Sequence, residues 1–306
     1  MSSIFIVLHG KAAGDPRVRT AVRVVRQAGH RVDVRVTWEP GDAARLTAEA
    51  VASLAGGENS CIVAGGGDGT VNEVFAAAYK IGPPPGCSLG ILPLGTANDL
   101  AHSAGIPVQD ITAALQLAAN ANSHRIDVGL VDDKPFVNVV SGGFGSRITV
   151  ETDPELKRRL GGLAYAITGI SHFAELSANT GQFRAEAFSW NGPFLALAIG
   201  NGRQAGGGVS LCPDAKIDDG LLDLTILPQI HPAARFDAFS KLLREGAASL
   251  RTILLTARSS WIEYESEDEL NINLDGEPLI VKRFRVECSK QALPVRLGET
   301  RLLSVQ

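Results

Sequence analysis

Strand-like and helix-like segments alternate along the first 122 residues of this 306-residue chain. The apolar segments IFIVLHG (4–10), SCIVA (60–64) and SLGIL (88–92) have the composition of buried strands. Between them, segments 15–29 and 71–81 carry apolar residues at helical spacing. Such alternation predicts a doubly wound α/β fold, in which a parallel sheet carries helices on both faces. Ligands of this fold class bind at the carboxyl ends of the strands.

The pattern changes near residue 124, where strand-like segments separated by turn residues begin. Asp132-Asp133 and Asn191-Gly192 are predicted to turn two hairpins. We therefore expect a C-terminal β-sandwich with helical insertions, and a site in the cleft between it and the α/β domain. The predicted division is a nucleotide-binding α/β domain at 1–123, a β-sandwich domain at 124–290, and a C-terminal tail at 291–306 that could form a last strand or return to the N-terminal domain.

Charge and cysteine content restrict the partners and the compartment. The chain has 29 basic and 33 acidic residues and a net charge of −4, which argues against nucleic acid as a partner. Its four cysteines have no metal-binding spacing, and we interpret them as reduced thiols of a cytoplasmic protein. No segment reaches the ~18 consecutive apolar residues that span a bilayer, so membrane contact is expected to be peripheral.

A run of basic residues offers one route to such contact. Lys157, Arg158 and Arg159 precede an apolar segment within a predicted helix at 154–177. Each basic residue near an anionic membrane surface contributes about 1 kcal/mol of binding free energy. The run could hold the protein at the inner membrane face, although a solvated helix face explains it equally well.

The segment GGGDG (65–69) lies between a predicted strand and a predicted helix. Backbone N–H groups of such a loop, with the positive end of the following helix, bind phosphate. The loop matches neither the Walker A motif nor the dinucleotide-binding fingerprint. A capping box formed by Thr70 and Glu73 would explain the helix start without a ligand. Because Asp68 would be repelled by phosphates, we expect Mg²⁺ and a nucleoside triphosphate here.

Three further segments carry turn or loop chemistry. LGILPLGTANDLA (89–101) repeats the strand, glycine turn and helix pattern, and a cap formed by Thr96 and Asp99 is its simpler explanation. Two such loops at adjacent strand ends could hold one nucleotide from two sides. The sequences Asp219-Gly220 and Asp275-Gly276 are typical of hairpin turns.

Four motifs together resemble one known family. GGGDGTVNEV, GILPLGTANDLA, GNGRQAGGG and NLDGEP are similar to the diacylglycerol kinase catalytic-domain family, and most of all to its bacterial YegS-like lipid kinases. The similarity covers nearly the whole chain, and PLGTANDLA is more specific to lipid kinases than GGDGT. The resemblance implies phosphorylation of a lipid hydroxyl by ATP, in a cleft between a nucleotide domain and a β-sandwich, and so a role in phospholipid synthesis.

The resemblance also implies roles for matching residues. Glu277 takes the position of the general base, where some relatives carry aspartate, and Asp275 is a competing candidate two residues away. Asp68 would act near the catalytic Mg²⁺. The implied ATP contacts are Thr37, Gly66, Gly67, Asp68, Gly69, Thr70, Val71, Asn72 and Thr96. The implied ligands of a second, structural divalent ion (Mg²⁺ or Ca²⁺) are the carbonyls of Lys216 and Leu221 and the carboxylate of Asp219.

Two other functions fit part of the sequence. A kinase similar to NAD kinases shares the glycine loop but does not predict PLGTANDLA. A non-catalytic nucleotide or lipid sensor predicts ATP binding without turnover. Among lipids, diacylglycerol, phosphatidylglycerol and sphingoid bases all offer a hydroxyl group, and the sequence leaves this choice open.

Overall fold

Residues 1–55, 57, 59–143, 178–229 and 252–304 are described by a computed structural model of the chain. Four parallel strands form the sheet of the α/β domain: β1 (Ser3–Leu8), β2 (Arg31–Val36), β3 (Ser60–Gly66) and β4 (Cys87–Pro93). They lie side by side in the order β4–β3–β1–β2. Their carboxyl ends therefore share one edge of the sheet.

Five helices accompany these strands: α1 (Pro16–Gln27), α2 (Asp42–Leu54), α3 (Asp68–Ile81), α4 (Asp99–Ser103) and α5 (Ile111–Asn120). Helix α1 contacts α5, and α2 contacts α3. The sheet order reverses direction after β2, so right-handed connections place α1 on one face and α2 and α3 on the other. The predicted doubly wound fold is confirmed.

Helix α1 illustrates why the predicted helices form. Its apolar residues from Val18 to Val25 are buried at helical spacing against the sheet. Asp15 caps the first turn, because its carboxylate accepts a hydrogen bond from the backbone N–H of Arg17 at 2.8 Å. The helix stops before Gly29, whose φ of 91° suits glycine.

Antiparallel strands make up the second half of the chain. They are β5 (Ser123–Val131), β6 (Lys134–Phe136), β7 (Val139–Gly142), β8 (Asn179–Ala185), β9 (Phe188–Gly200), β10 (Gln204–Ala205), β11 (Val209–Ser210), β12 (Leu222–Pro228), β13 (Leu255–Ser259), β14 (Trp261–Leu274) and β15 (Glu277–Arg296). Their core contains a cluster of aromatic rings: Phe183, Phe194, Tyr264 and Phe284.

A bulge in the β14–β15 hairpin lets β14 pair with two different strands of this domain. The pairing of β14 with β15 shifts register between Glu265 and Leu270. Before the shift β14 pairs with β8, and after it β14 pairs with β7. Bulges of this kind bend strands at the corners of sandwiches. The β-sandwich expected from the sequence is confirmed.

One predicted hairpin turn was wrong and another was right. Strands β8 and β9 turn at 186–187, and Asn191-Gly192 lies inside β9. Burial of the aromatic side chains decides this register, since the ring of Phe183 lies opposite that of Trp190 across the pair. The turn at Asp132-Asp133 is confirmed between β5 and β6.

Strand β15 joins the two halves into one sheet. It pairs with β14 and β5, and Val295 pairs in parallel with Leu89 of β4. Arg296 is buried and donates hydrogen bonds to the carbonyls of Ala118 and Ala119 at 2.8 Å, near the carboxyl end of α5. This contact is favourable because a cation meets the negative end of the helix dipole.

The chain that follows β15 packs on the α/β domain. Leu302 is buried in the hydrophobic core of that domain, and Gly298 N donates to Ala104 O at 3.0 Å. Strand β15 runs through residue 290, where the predicted β-sandwich ends. The exact domain bounds stay a prediction.

Candidate active site

The two glycine loops meet at the carboxyl ends of β3 and β4. Leu94 N donates a hydrogen bond to Gly66 O at 2.8 Å, which ties the loops together. A Cβ on Gly95 would collide with the Cα of Gly67, and a Cβ on Gly66 would collide with the side chain of Thr70. Close packing therefore requires these glycines, whereas Gly69 faces open space.

Neither predicted capping motif is formed, so both simpler explanations of these loops were wrong. Helix α3 begins at Asp68 and no side chain caps it, so Thr70 lies inside its first turn. Asn98, not Thr96, is the residue before α4, and its side-chain amide closes the loop on the backbone of Gly95 at 2.8 and 2.9 Å. The first amides of α3 stay available to an anion.

Two carboxylates converge beside these amides. Asp68 accepts a hydrogen bond from Leu100 N at 3.3 Å. Burial, and then the charge of Asp99, raise the pKa of Asp68. Asp99 accepts hydrogen bonds from Gly207 N and Gly208 N at 2.9 and 2.6 Å, which brings the GNGRQAGGG loop of the β domain onto α4.

This pair of carboxylates has the chemistry of a Mg²⁺ site. Neither Asp68 nor Asp99 forms an ion pair with a basic side chain of the described residues, so no described cation neutralises their negative charge. No cluster of three or more His, Cys, Asp or Glu side chains forms a metal site within those residues. Mg²⁺ commonly takes only one or two carboxylates and completes its shell with phosphate oxygens and water. The residues present fit that arrangement.

The β14–β15 hairpin approaches from the other domain. Asp275 and Gly276 form its two-residue turn with φ of 46° and 105°, so the predicted Asp-Gly hairpin is confirmed here. The Asp275 carboxylate accepts hydrogen bonds from the backbone N–H groups of Val137, Asn138 and Val139 at 2.8, 3.1 and 2.8 Å. The tip of the hairpin is thereby fixed to the segment that leads into β7.

Burial raises the pKa of Asp275 to about 6, although its three amide partners oppose the shift. The charge of Asp68 contributes to the increase, so these two carboxylates of different domains lie within electrostatic range of each other. A pKa of this size suits a general base, but the oxygens of Asp275 are already occupied by the three amides.

Glu277 is the exposed first residue of β15, and its carboxylate makes no hydrogen bond or ion pair with the described residues. It affects Glu73 on α3: burial raises the pKa of Glu73, the charge of Glu277 raises it further, and His9 lowers it. The Asp68–Asp275 and Glu73–Glu277 pairs therefore place the hairpin opposite the amino-terminal half of α3.

The other predicted nucleotide contacts lie around this region. Thr37 follows β2, two strands away from the glycine loop, and its hydroxyl accepts a hydrogen bond from Gly10 N at 3.2 Å. Thr96 lines a cavity of about 560 Å³ together with Arg203 and Arg301. On α3, Asn72 is buried, and its side-chain oxygen has no hydrogen-bond partner within the described residues. Val71, beside it, is a core residue.

The predicted ligands of the structural ion lie in a separate turn before β12. Asp219 accepts a hydrogen bond from Leu221 N at 2.9 Å and forms an ion pair with Arg258. The ammonium group of Lys216 donates to the carbonyls of Arg301 and Leu303 at 2.7 and 3.0 Å. The sequence Asp219-Gly220 does not turn a hairpin, because β12 pairs with β9 and β13.

Comparison with known proteins identifies the family. Residues 4–131 match the family model of the diacylglycerol kinase catalytic domain, and residues 138–297 match the YegS C-terminal NAD kinase beta sandwich-like domain. A Pseudomonas aeruginosa protein described as "Probable lipid kinase YegS-like" is 49% identical over 294 residues, which cover 96% of this chain and 94% of that protein. The chain belongs to the diacylglycerol kinase family. It is therefore a kinase, an enzyme of the phosphotransferase class.

A second relative agrees with this assignment, and a solved structure agrees with the fold. A Xanthomonas euvesicatoria protein with the same description is 44% identical over 305 residues, which cover 97% of each chain. A crystal structure of a diacylglycerol kinase from Bacillus anthracis str. Sterne superposes with a TM-score of 0.71 over 96% of each chain. At 20% identity, this last match supports the fold alone.

Sequence reasoning missed two acidic residues of the site. Asp99 and Glu73 were interpreted only as parts of helix caps, yet the charge of Asp99 acts on Asp68 within the α/β domain, and Glu73 faces Glu277 across the cleft. The signal for Asp99 was the glycine run 206–208, since a loop with so many free amides needs an anionic partner, which Asp99 supplies.

The basic run Lys157–Arg159 and the predicted helices at 154–177 and 232–247 lie outside the described residues. Within those residues, no helix is long and apolar enough to cross a bilayer.

Proposed function

We propose that the protein transfers the γ-phosphoryl group of ATP to a lipid hydroxyl group, with Mg²⁺, in the cleft between α3 and the β14–β15 hairpin. The observation that carries this proposal is the approach of Asp275 and Glu277 of the β domain to Asp68 and Glu73 of the α/β domain. A phosphate-binding helix terminus, a candidate cation site and an exposed carboxylate then lie together, as in-line phosphoryl transfer requires. The relatives described as lipid kinases support a lipid as the acceptor.

Binding of ATP would use the two glycine loops. The uncapped amides of α3, from Gly67 onward, would hold phosphate oxygens, and Gly69 leaves the backbone open to them. Thr37 and Thr96 would contact the nucleotide from the two sides of the loop. Asp68 and Asp99 would hold Mg²⁺, which neutralises phosphate charge when bound.

Proton transfer falls to Glu277. Its carboxylate would accept the proton of the lipid hydroxyl as that oxygen bonds to the γ-phosphorus and the bond to ADP breaks. Asp275 would act as a positioning residue, because its hydrogen bonds to 137–139 fix the turn that presents Glu277.

Incubation with labelled ATP tests this function directly. One reaction contains a total lipid extract and a second contains NAD. We expect label in the lipid fraction, and identification of that product would choose between diacylglycerol, phosphatidylglycerol and other acceptors. Label in NADP alone would favour a kinase similar to NAD kinases, whose β-sandwich resembles the matched C-terminal domain. ATP binding without any labelled product would favour the sensor.

The state of the cysteines bears on the cellular compartment. We infer that the protein acts in the cytoplasm with peripheral contact to the inner membrane face. Its four cysteines are all unpaired, which suits a reducing compartment.

Replacing Asp275 with asparagine should destabilise the protein. The amide keeps one oxygen acceptor but points a donor at a backbone N–H of the 137–139 segment, and one lost buried hydrogen bond costs about 1–3 kcal/mol. Removal of the buried charge, whose desolvation raises the pKa of Asp275, offsets part of this loss. Urea denaturation would measure this loss. Turnover per folded molecule should stay within about tenfold of wild type. A stable but inactive D275N protein would instead transfer the role of general base to Asp275.

Replacing Asp219 with alanine should lower the metal content of the β domain and reduce activity indirectly. The carboxylate is the only charged ligand in the proposed set, and hard divalent cations require such oxygens. Metal analysis of the purified variant would check this. D133A, in the exposed turn between β5 and β6, is a matched control that should keep the wild-type metal content. Loss of stability with unchanged metal content would indicate a purely structural role for Asp219.

A further inference from the structure

Arg258 lies between two carboxylates beside the proposed structural metal site. It is directly opposite Asp223 in the antiparallel pair β12–β13. Its guanidinium forms an ion pair with Asp219, and its Nε lies 3.5 Å from Asp223 Oδ2. Asp219 is a proposed metal ligand, so this arginine contacts the same carboxylate that a metal would bind.

Asp223 marks a place for a second cation. The residue is only 7% exposed, and the sole described partner of its Oδ2 is the long 3.5 Å ion-pair contact with Arg258 Nε, which falls short of a hydrogen bond. A buried carboxylate oxygen without a hydrogen bond is unfavourable, and buried charges are ordinarily paired or bound to metals. The single positive charge of Arg258 is shared between the carboxylates of Asp219 and Asp223, so the three side chains together carry a net charge of −1.

The geometry of Asp219 restricts how a metal can enter. One carboxylate oxygen accepts the N–H of Leu221 at 2.9 Å, and the other binds Arg258. A divalent cation on the second oxygen would lie next to the guanidinium, and like charges at such separations repel strongly in a partly buried site. A metal bound to this oxygen would therefore compete with Arg258 for Asp219.

We propose that Arg258 is an internal cation of this site, so that a divalent ion binds Asp219 only when the Arg258 ion pair opens, and then gains Asp223 as an additional ligand. The proposal depends on the proposed metal site, but not on the lipid kinase reaction. It implies that the turn before β12 keeps its structure without metal, because the arginine holds Asp219 in place.

Calorimetric titration with Ca²⁺ or Mg²⁺ alone tests the proposal without any substrate. In R258Q the guanidinium is lost, and we expect the dissociation constant to fall by at least about tenfold, which corresponds to ~1.4 kcal/mol of binding free energy. In EDTA, R258Q should melt at a lower temperature than the wild type and should recover on addition of Ca²⁺. The wild-type melting temperature should respond little to EDTA.

Two further variants keep the test decisive. R258K retains one charge without the planar fork and should bind metal with intermediate affinity, even if R258Q fails to fold. R285Q is a matched control, because Arg285 also pairs with two carboxylates, Glu263 and Glu287, and should leave metal affinity unchanged. Equal or weaker metal binding in R258Q and R258K would overturn the proposal. Absence of metal binding in the wild type, R258Q and R258K, all of which retain Asp219, would overturn both the proposal and the metal site.

Discussion

Replacing Asp68 with asparagine is expected to reduce kcat by roughly 10²–10³-fold or more, the size of effect seen when one preorganised charge contact at a reacting centre is lost. Asparagine keeps the shape and the acceptor for Leu100 N, but it removes the negative charge that would hold Mg²⁺ against the phosphates. Asp68→Ala should have at least the same effect. Steady-state turnover at saturating Mg²⁺, with circular dichroism to confirm folding, measures this loss.

A matched substitution distinguishes the effect of losing a negative charge at the site from the effect of losing one elsewhere on the protein. Asp110 is the exposed N-cap of α5, and asparagine is an equally good cap. D110N should therefore keep both stability and turnover. If D68N retains more than a tenth of the wild-type activity at saturating Mg²⁺, Asp68 is not the metal carboxylate of the reaction.

The second large effect is expected at Glu277. Glu277→Gln keeps the size of the side chain and removes its basicity, so kcat should fall by the ~10²–10⁴-fold typical of a general base. Affinity for ATP should change little, because Glu277 makes no hydrogen bond or ion pair with the glycine loops within the described residues. Glu277→Asp should keep partial activity, because aspartate supplies the same carboxylate on a shorter side chain. Separate measurements of kcat and of ATP binding are needed.

Glu269, an exposed residue of the same hairpin, provides the control. E269Q changes the hairpin charge by the same amount and should leave kcat unchanged. Near-normal turnover in E277Q, together with loss of turnover in a folded D275N, would contradict the assignment and favour Asp275. A parallel fall in E277Q and E269Q would show that hairpin charge alone matters.

The architecture was predictable where local patterns and long-range packing agree. Apolar runs and helical spacing were enough to predict the strands and helices of the α/β domain, because the apolar residues of each element show which of its faces is buried. Asn191-Gly192 failed because the local turn preference of this dipeptide is weaker than the burial of the aromatic rings that set the β8–β9 register.

The candidate site was predictable only for residues that share a motif. Asp68 and Glu277 are embedded in short motifs, so their sequence neighbours are enough to predict them as candidates. Arg258 reaches Asp219 across 39 positions of the chain, and the amides of 137–139 reach Asp275 across more than 130. Such contacts depend on strand register and on a bulge, neither of which leaves a local signal.

The pairing of β15 with β4 has a consequence for how the protein is made. Val295 and Leu89 are neighbours in the sheet, although about two hundred positions separate them. When the α/β segment leaves the ribosome, β15, which pairs with the edge strand β4, has not yet been synthesised. Arg296, which binds the carboxyl end of α5, is also missing at that stage. During synthesis this edge stays unpaired, and unpaired edges favour aggregation. Chains that terminate before residue 290 should therefore accumulate as insoluble material, because the nucleotide domain is completed only when residues 295–302 have been translated.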